Sequence, residues 1–273
     1  MLLRIEDTDR KRFRADAQNQ LMDSLSWLGI DWDEGPEIGG EFAPYIQSER
    51  AERHREHAQQ LVCAGNAYLC FCDANRLQEL QRSYRSYDRH CRGLAPSAAR
   101  QRAQSGEAHV VRFRSPKEGS TTVRDLLRGE ITVLNEHLED FVLLKSDGFP
   151  VYHLAAMADD HAMGITHVIR GEEWLPSLPK HALIIRASGW TEPIWCHLSV
   201  LKKPDGKGKM SKRDSQQHSK TGGHSIFIHE LRELGFLPDA VVNWMALMGW
   251  SFDDQREDFT LSELQQTFTL DRL

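Results

Sequence analysis

VYHLAAMADDHAMGITHVIRGEEWLPSLPKHALIIRASGWTEPIWCHL, residues 151–198, is the stretch whose periodicity decides the fold. Its first fifteen residues, VYHLAAMADDHAMGI, suit a buried helix, and THVIRG after them is a short apolar strand ending at Arg170-Gly171. Glu172 and Glu173 open a helix that resumes after Pro179 and stops at Ser188-Gly189, and Trp195 to Leu198 reads as another strand. Strand and helix alternate over short connections. That alternation is the mark of a mostly parallel sheet with crossover helices.

Upstream, Met1 to Ile5 has a strand's apolar weighting and runs into Glu6-Asp7-Thr8-Asp9. Carboxylates at the C-terminal end of a strand stand where open α/β sheets bind ligands, but the same residues suit a capped turn before a helix. Leu21, Met22, Leu25 and Leu28 recur at helical spacing and Gly29 stops that helix; a second helix runs from about Ser48 to Ala64.

The middle third differs in style. Tyr68–Cys72 reads as a strand, Asp73 caps a helix to about Tyr84, and a further short helix ends at Gly106. Strand-like pieces follow at 109–114, 131–134 and 141–144, with a Ser146-Asp147-Gly148 turn before Val151. Downstream, helices are expected near 225–234 and 238–248, and Thr260-Leu-Ser-Glu263 fits a capping box at the start of another.

The bulk numbers bound the function classes. A chain of 273 residues can bury a core without staples, and its net charge of -6 argues against wholesale non-specific nucleic-acid binding while leaving room for a local basic patch. No apolar run approaches the ~20 residues of a membrane span, the first residues are too densely charged for a signal peptide, and five cysteines lack a disulfide framework's spacing. A cytoplasmic location without membrane attachment follows. Cys63 and Cys196 are expected to be buried, reduced thiols.

Two groups carry candidate chemistry. LKKPDGKGKMSKRDS, residues 201–215, places Lys209 and Lys212 around a small hydroxyl in a glycine-bearing loop. Such ammonium groups can neutralise a polyphosphate, although the same loop could be merely solvated. Cys70, Cys72, Tyr87 and Cys91 form C-x-C-x14-Y-x3-C. Thiolates hold zinc tetrahedrally, and a phenolate or His90 could complete the set; ordinary buried thiols remain the other reading.

Three strings taken in order, LLRIEDTDR, YHLAAMADDHAMGITHVIRGEEWLPSLPKH, and KMSKRD followed by LRELGFLPDAVVNWMALMGWS, resemble the bacterial-type glutamyl-tRNA synthetases, a class I aminoacyl-tRNA synthetase family, over nearly the whole chain. The resemblance implies an α/β fold with a Rossmann-like parallel sheet, split as residues 1–48 and 152–200. An α+β acceptor-stem-binding insertion would occupy 49–151, and the lysine loop with the start of a helical stem-contact segment 201–273. It implies a monomeric ligase that joins L-glutamate to ATP, accompanied by Mg2+, and passes the glutamyl group to the 3′ end of tRNA. By similarity, Glu6, Tyr152, Arg170 and Trp174 would hold glutamate. Lys209, Met210, Ser211 and Lys212 would hold ATP, the two lysines gripping the departing pyrophosphate, and Asp9 and Arg12 would lie near the tRNA acceptor end. Some members carry a structural zinc at the position of Cys70, Cys72, Tyr87 and Cys91.

That family opens with a further strand, an H-I-G-H-type nucleotide loop and a helix ahead of the first string, and continues into anticodon-binding helices. The chain is therefore expected to lack the first βα unit and to support little or no ATP–pyrophosphate exchange by itself. A paralogue that glutamylates a modified base on aspartate tRNA, and a non-catalytic fragment that binds the acceptor stem, are the alternative readings. Without the resemblance, Arg170 could simply pair with Glu172 or Glu173, and Tyr152 and Trp174 could be core aromatics.

Overall fold

A computed structural model describes residues 1–9, 16–83, 86–203, 206, 208–209, 227–253 and 255–273. Arg12, Met210, Ser211 and Lys212 lie outside the described residues, so their expected roles have no structural counterpart below.

The alternation read in 151–198 is realised. Helix α5 (Tyr152–Ala162) leads to β6 (His167–Gly171), a 3-10 stretch at Glu172–Ser177 joins it to α6 (Leu178–Ala187), and β7 (Ile194–Leu198) follows. Pro179 lies in the first turn of α6, where a missing N–H costs nothing. Strands β6 and β7 pair in parallel, with Arg170 opposite His197.

The sheet does not stop there. A hairpin of β3 (Ser120–Asp125) and β4 (Gly129–Leu134) attaches through β3, with Asp125 opposite Trp195 in parallel register. The order is β4-β3-β7-β6, parallel except for the hairpin. The sheet therefore crosses the boundary drawn at residue 151, because a hairpin from within 49–151 contributes two of its strands. A second, antiparallel sheet has the order β1-β2-β5, from β1 (Ala67–Cys70), β2 (Val110–Phe113) and β5 (Val142–Leu144).

One apolar core runs through both sheets, from Leu61, Leu69 and Phe113 to Leu143, Leu154, Leu178, Ile184 and Trp195. Helix α2 (Ala51–Cys63) contributes Ala51, His54, Ala58 and Leu61 from one stripe. Cys63 lies two residues past Leu61, off that stripe, and is exposed, not buried as expected; Cys196 is buried. A separate core joins the end of α1 (Ala17–Trp27) to the C-terminal helices α7 (Ile228–Glu233), α8 (Pro238–Leu247) and α9 (Leu261–Thr267), through Leu28, Leu231, Val241, Trp250 and Leu264. The capping box at Thr260 and Glu263 forms as read.

Within the insertion, α3 (Ala74–Arg82) starts where Asp73 accepts from the Arg76 amide, and α4 is Pro96–Gln104. Residues 1–6 make a looser element than a sheet strand. They are held by single parallel bridges, Leu2 with Glu34 and Ile5 with Ile46. Among the described residues no helix is long and apolar enough to cross a membrane.

Candidate active site

The first segment and the edge strand β6 line a cleft of about 310 Å3, with Arg4, Glu6, Tyr152, Asp160 and Arg170 on its walls. Arg4 and Glu6 are two residues apart on an extended backbone, so they share a side. The Arg4 Nη2 donates to Glu6 at 2.8 Å and to Asp160 at 2.8 Å. Burial works against charge on Arg4, but Asp160 and Glu6 more than offset it and raise its pKa; burial also raises the Asp160 carboxyl, against the pull of Arg4. The cleft wall thus carries clustered carboxylates around Arg4, and Arg170 beside Tyr152.

Arg170 makes no salt bridge with Glu172 or Glu173. Glu172 accepts from Arg128, and Glu173 pairs with Lys209. The Arg170 guanidinium instead lies 5.9 Å from the Trp174 ring and 5.4 Å from the Trp195 ring. Its Nε donates to His197 Nε2 at 3.0 Å, and its Nη1 meets His181 Nδ1 at 3.1 Å. Its Nη2 is buried and makes no hydrogen bond of good geometry among the described residues, although the Tyr152 hydroxyl stands beside the guanidinium. Burial lowers the Arg170 pKa, and Tyr152 beside it acts in the opposite sense. The Tyr152 ring packs 4.5 Å from Trp174, and burial followed by the nearby Glu6 raises its hydroxyl pKa.

Of the residues expected to meet glutamate, Glu6, Tyr152 and Arg170 line one cleft, and Trp174 borders it through its contacts with Tyr152 and Arg170. Lys209 reaches the same region by its salt bridge to Glu173. Asp9 is exposed, at the end of the first described segment. Five further residues at or behind the cleft were missed in the sequence: Arg4, Asp160, His181, His197 and Asp125. Arg4 could have been found, since period-two alternation puts it beside Glu6. The others come from distant elements and carry no local motif.

The cysteine cluster is real in space. The Cys70, Cys72 and Cys91 sulfurs all lie within 4.8 Å of one another. The Tyr87 hydroxyl stands 3.2 Å from Cys70 Sγ and 3.8 Å from Cys72 Sγ. Burial, then the neighbouring Cys70, pushes the Cys72 thiol up to about 12. Arg112 stacks its guanidinium 3.8 Å over the Tyr87 ring and can offset negative charge there. Three soft sulfurs and a phenol oxygen converging on one point suit a tetrahedral zinc.

The family model described as "tRNA synthetases class I (E and Q), catalytic domain" matches residues 1–273. The glutamate–tRNA ligase of Ectopseudomonas mendocina is 44% identical over 278 residues, covering 100% of this chain and 54% of the relative. That of Borrelia recurrentis is 44% identical over 279 residues, covering 100% and 53%. The chain thus spans about half the length of the curated relatives it matches. Among solved structures, a glutamate tRNA ligase from Elizabethkingia meningosepticum, in complex with its amino acid, superposes with a TM-score of 0.89 at 36% identity, covering 100% of this chain and 58% of that one. The synthetase of Elizabethkingia anophelis gives 0.88 at 36%, covering 100% and 59%.

Proposed function

Because this chain belongs to the class I tRNA synthetases of the glutamate and glutamine branch, we propose that its cleft activates L-glutamate with ATP, as the core of a glutamate–tRNA ligase acting as a monomer. The observation that carries the reading is the shared cleft of Glu6, Tyr152 and Arg170. A zwitterion with a second carboxylate needs an anionic wall for its ammonium and a cationic wall for a carboxylate. The cleft offers both, with Glu6 and Asp160 among its acidic lining residues and Arg170 as a cationic one.

The chemistry asks little of the protein beyond placement. The substrate's own carboxylate attacks the α-phosphate, so no protein nucleophile is needed, and positioning plus charge stabilisation supply the rate. Bound with ATP, Mg2+ would supply shielding of the phosphate charge. Lys209 would leave Glu173 for the pyrophosphate, with Lys212 as its partner. Its pair with Glu173 has side chains 54% and 32% exposed, and exposed pairs hold weakly enough to release. The acceptor stem of tRNA would lie along the insertion, near Asp9 and Arg12, and Cys70, Cys72, Tyr87 and Cys91 would hold a structural zinc.

Calorimetric titration with L-glutamate tests the cleft. Arg170→Ala is expected to weaken binding by about 10- to 100-fold, the equivalent of one charge-assisted contact. Equal affinity in the variant would sink the reading. Glutamate-dependent ATP–pyrophosphate exchange beside a tRNA gel shift separates turnover from mere acceptor-stem binding.

A further inference from the structure

Asp125, His197 and Arg170 stand in a row across three neighbouring strands, placed there by register. β3 sets Asp125 opposite Trp195 on β7, and β7 sets His197 opposite Arg170 on β6. The His197 Nδ1 lies 2.6 Å from Asp125 Oδ2, and both residues are almost wholly buried. Arg170 Nε lies 3.0 Å from His197 Nε2. We propose that the Asp125–His197 pair, together with His181, positions the Arg170 guanidinium at the wall of the cleft; this rests on the reading of Arg170 as the carboxylate-binding group.

The direction of the hydrogen bonds follows from the donor inventory. An arginine can only donate, so His197 Nε2 must present a lone pair to the Arg170 Nε–H. Its proton then sits on Nδ1, where an ionised Asp125 accepts it. The carboxylate thereby fixes one tautomer, as a carboxylate behind a ligand histidine does in metal sites. Asp125 is itself held: its Oδ1 accepts the amides of Leu127 at 3.1 Å and Arg128 at 3.0 Å in the β3–β4 turn.

His181 repeats the logic on the other side. Its Nδ1 must accept from Arg170 Nη1, so its Nε2 carries the proton and meets His153 Nδ1 at 3.0 Å. Two of the three guanidinium nitrogens are thus tied to neutral imidazoles, which orient the group without neutralising its charge. The third, Nη2, is buried beside the Tyr152 hydroxyl and makes no hydrogen bond of good geometry among the described residues. A carboxylate ligand in the cleft would meet a guanidinium whose orientation is already fixed.

The test reads the arginine directly and glutamate separately. In 1H–15N spectra, the Arg170 Nε–H of the wild-type chain is expected to exchange slowly with solvent. His197→Leu removes the acceptor, and Asp125→Asn lets the imidazole adopt the other tautomer, which sets an N–H against the Arg170 Nε–H. Both should speed that exchange and weaken glutamate binding about tenfold, the value of one hydrogen bond. His197→Gln, which restores an acceptor oxygen, should recover both readings. Circular dichroism checks the fold, and if His197→Leu does not fold, Asp125→Asn and His197→Gln carry the comparison. Wild-type exchange rates in Asp125→Asn would overturn the positioning role. Fast exchange in the variants with glutamate binding indifferent to Arg170→Ala would instead support positioning and defeat the carboxylate reading.

Discussion

At the residue scale, Asp159 shows how a buried carboxylate holds distant segments. Its two oxygens take hydrogen bonds from Gln47 at 2.9 Å, Arg50 at 2.6 Å and His54 at 2.9 Å, fastening α2 and the segment before it to α5. Burial works to raise its pKa, but His54, Arg50 and Gln47 together hold it below the usual carboxylate value of 3.8. A depressed folded pKa adds stability above the unfolded pKa, and that stability is lost as pH falls through the folded value. Asp159→Asn would leave Arg50 buried without its counter-charge, at a cost of about 3–5 kcal/mol near pH 7. The gap to wild type should narrow below about pH 4. Urea midpoints measured at both pH values check it, and a pH-independent gap would show that Asp159 is not charged in the fold.

The same scale shows what could be read from one string. Glu6-Asp7-Thr8-Asp9 looked like a row of carboxylates for a ligand or a capped turn, and the structure divides them. Glu6 faces the cleft, whereas Asp7 binds the Ser48 amide at 2.7 Å and Thr8 donates to Gln47 at 3.3 Å. Nothing local distinguishes the two roles. Asp125 and His197 are 72 residues apart, so their pairing depends wholly on strand register.

At the element scale, helices were legible because their signals are local. The Asp73 cap, the Gly189 stop and the Thr260–Glu263 box all sit within one turn of the helix they bound. β3 was not read as a strand. Its inward positions are Thr121, Val123 and Asp125, so two of the three buried side chains are polar and the apolar alternation disappears. Thr121 meets Asn135 at 2.6 Å and Asp125 meets His197, which satisfies groups that would otherwise oppose burial. The capping box on α9 is a testable element. Thr260 accepts from the Glu263 amide at 3.3 Å while Glu263 accepts from the Thr260 amide at 2.9 Å. Thr260→Ala should cost about 1 kcal/mol and Thr260→Ser much less. Faster amide exchange confined to residues 261–267 in the alanine variant is the expected result; no change would mean that packing of Leu264 alone sets the helix.

At the scale of the whole molecule, the cysteine cluster and the cleft lie in different parts of one connected body. Tyr68, Cys70, Tyr87 and Cys91 form their own small core within the insertion, with Phe71 and Leu94 packed against both it and the main core. Asp140 anchors the same region: wholly buried, it takes bonds from Tyr68 at 2.8 Å and from Arg92 at 2.7 Å. The C-x-C-x14-Y-x3-C spacing suggested zinc, and the converging sulfurs support it. Purified protein should therefore carry about one zinc per chain by elemental analysis, on the expectation that structural sites bind tightly. Chelation should lower the melting temperature and loosen residues 67–94, and Cys72→Ala should abolish metal retention. Glutamate affinity should hardly change, since the cleft draws on residues 1–6, α5 and β6 and on none of the cysteines. Metal-free protein with an unaltered melt would exclude a structural zinc, and a parallel loss of glutamate binding would show that the insertion braces the sheet through β3 and β4.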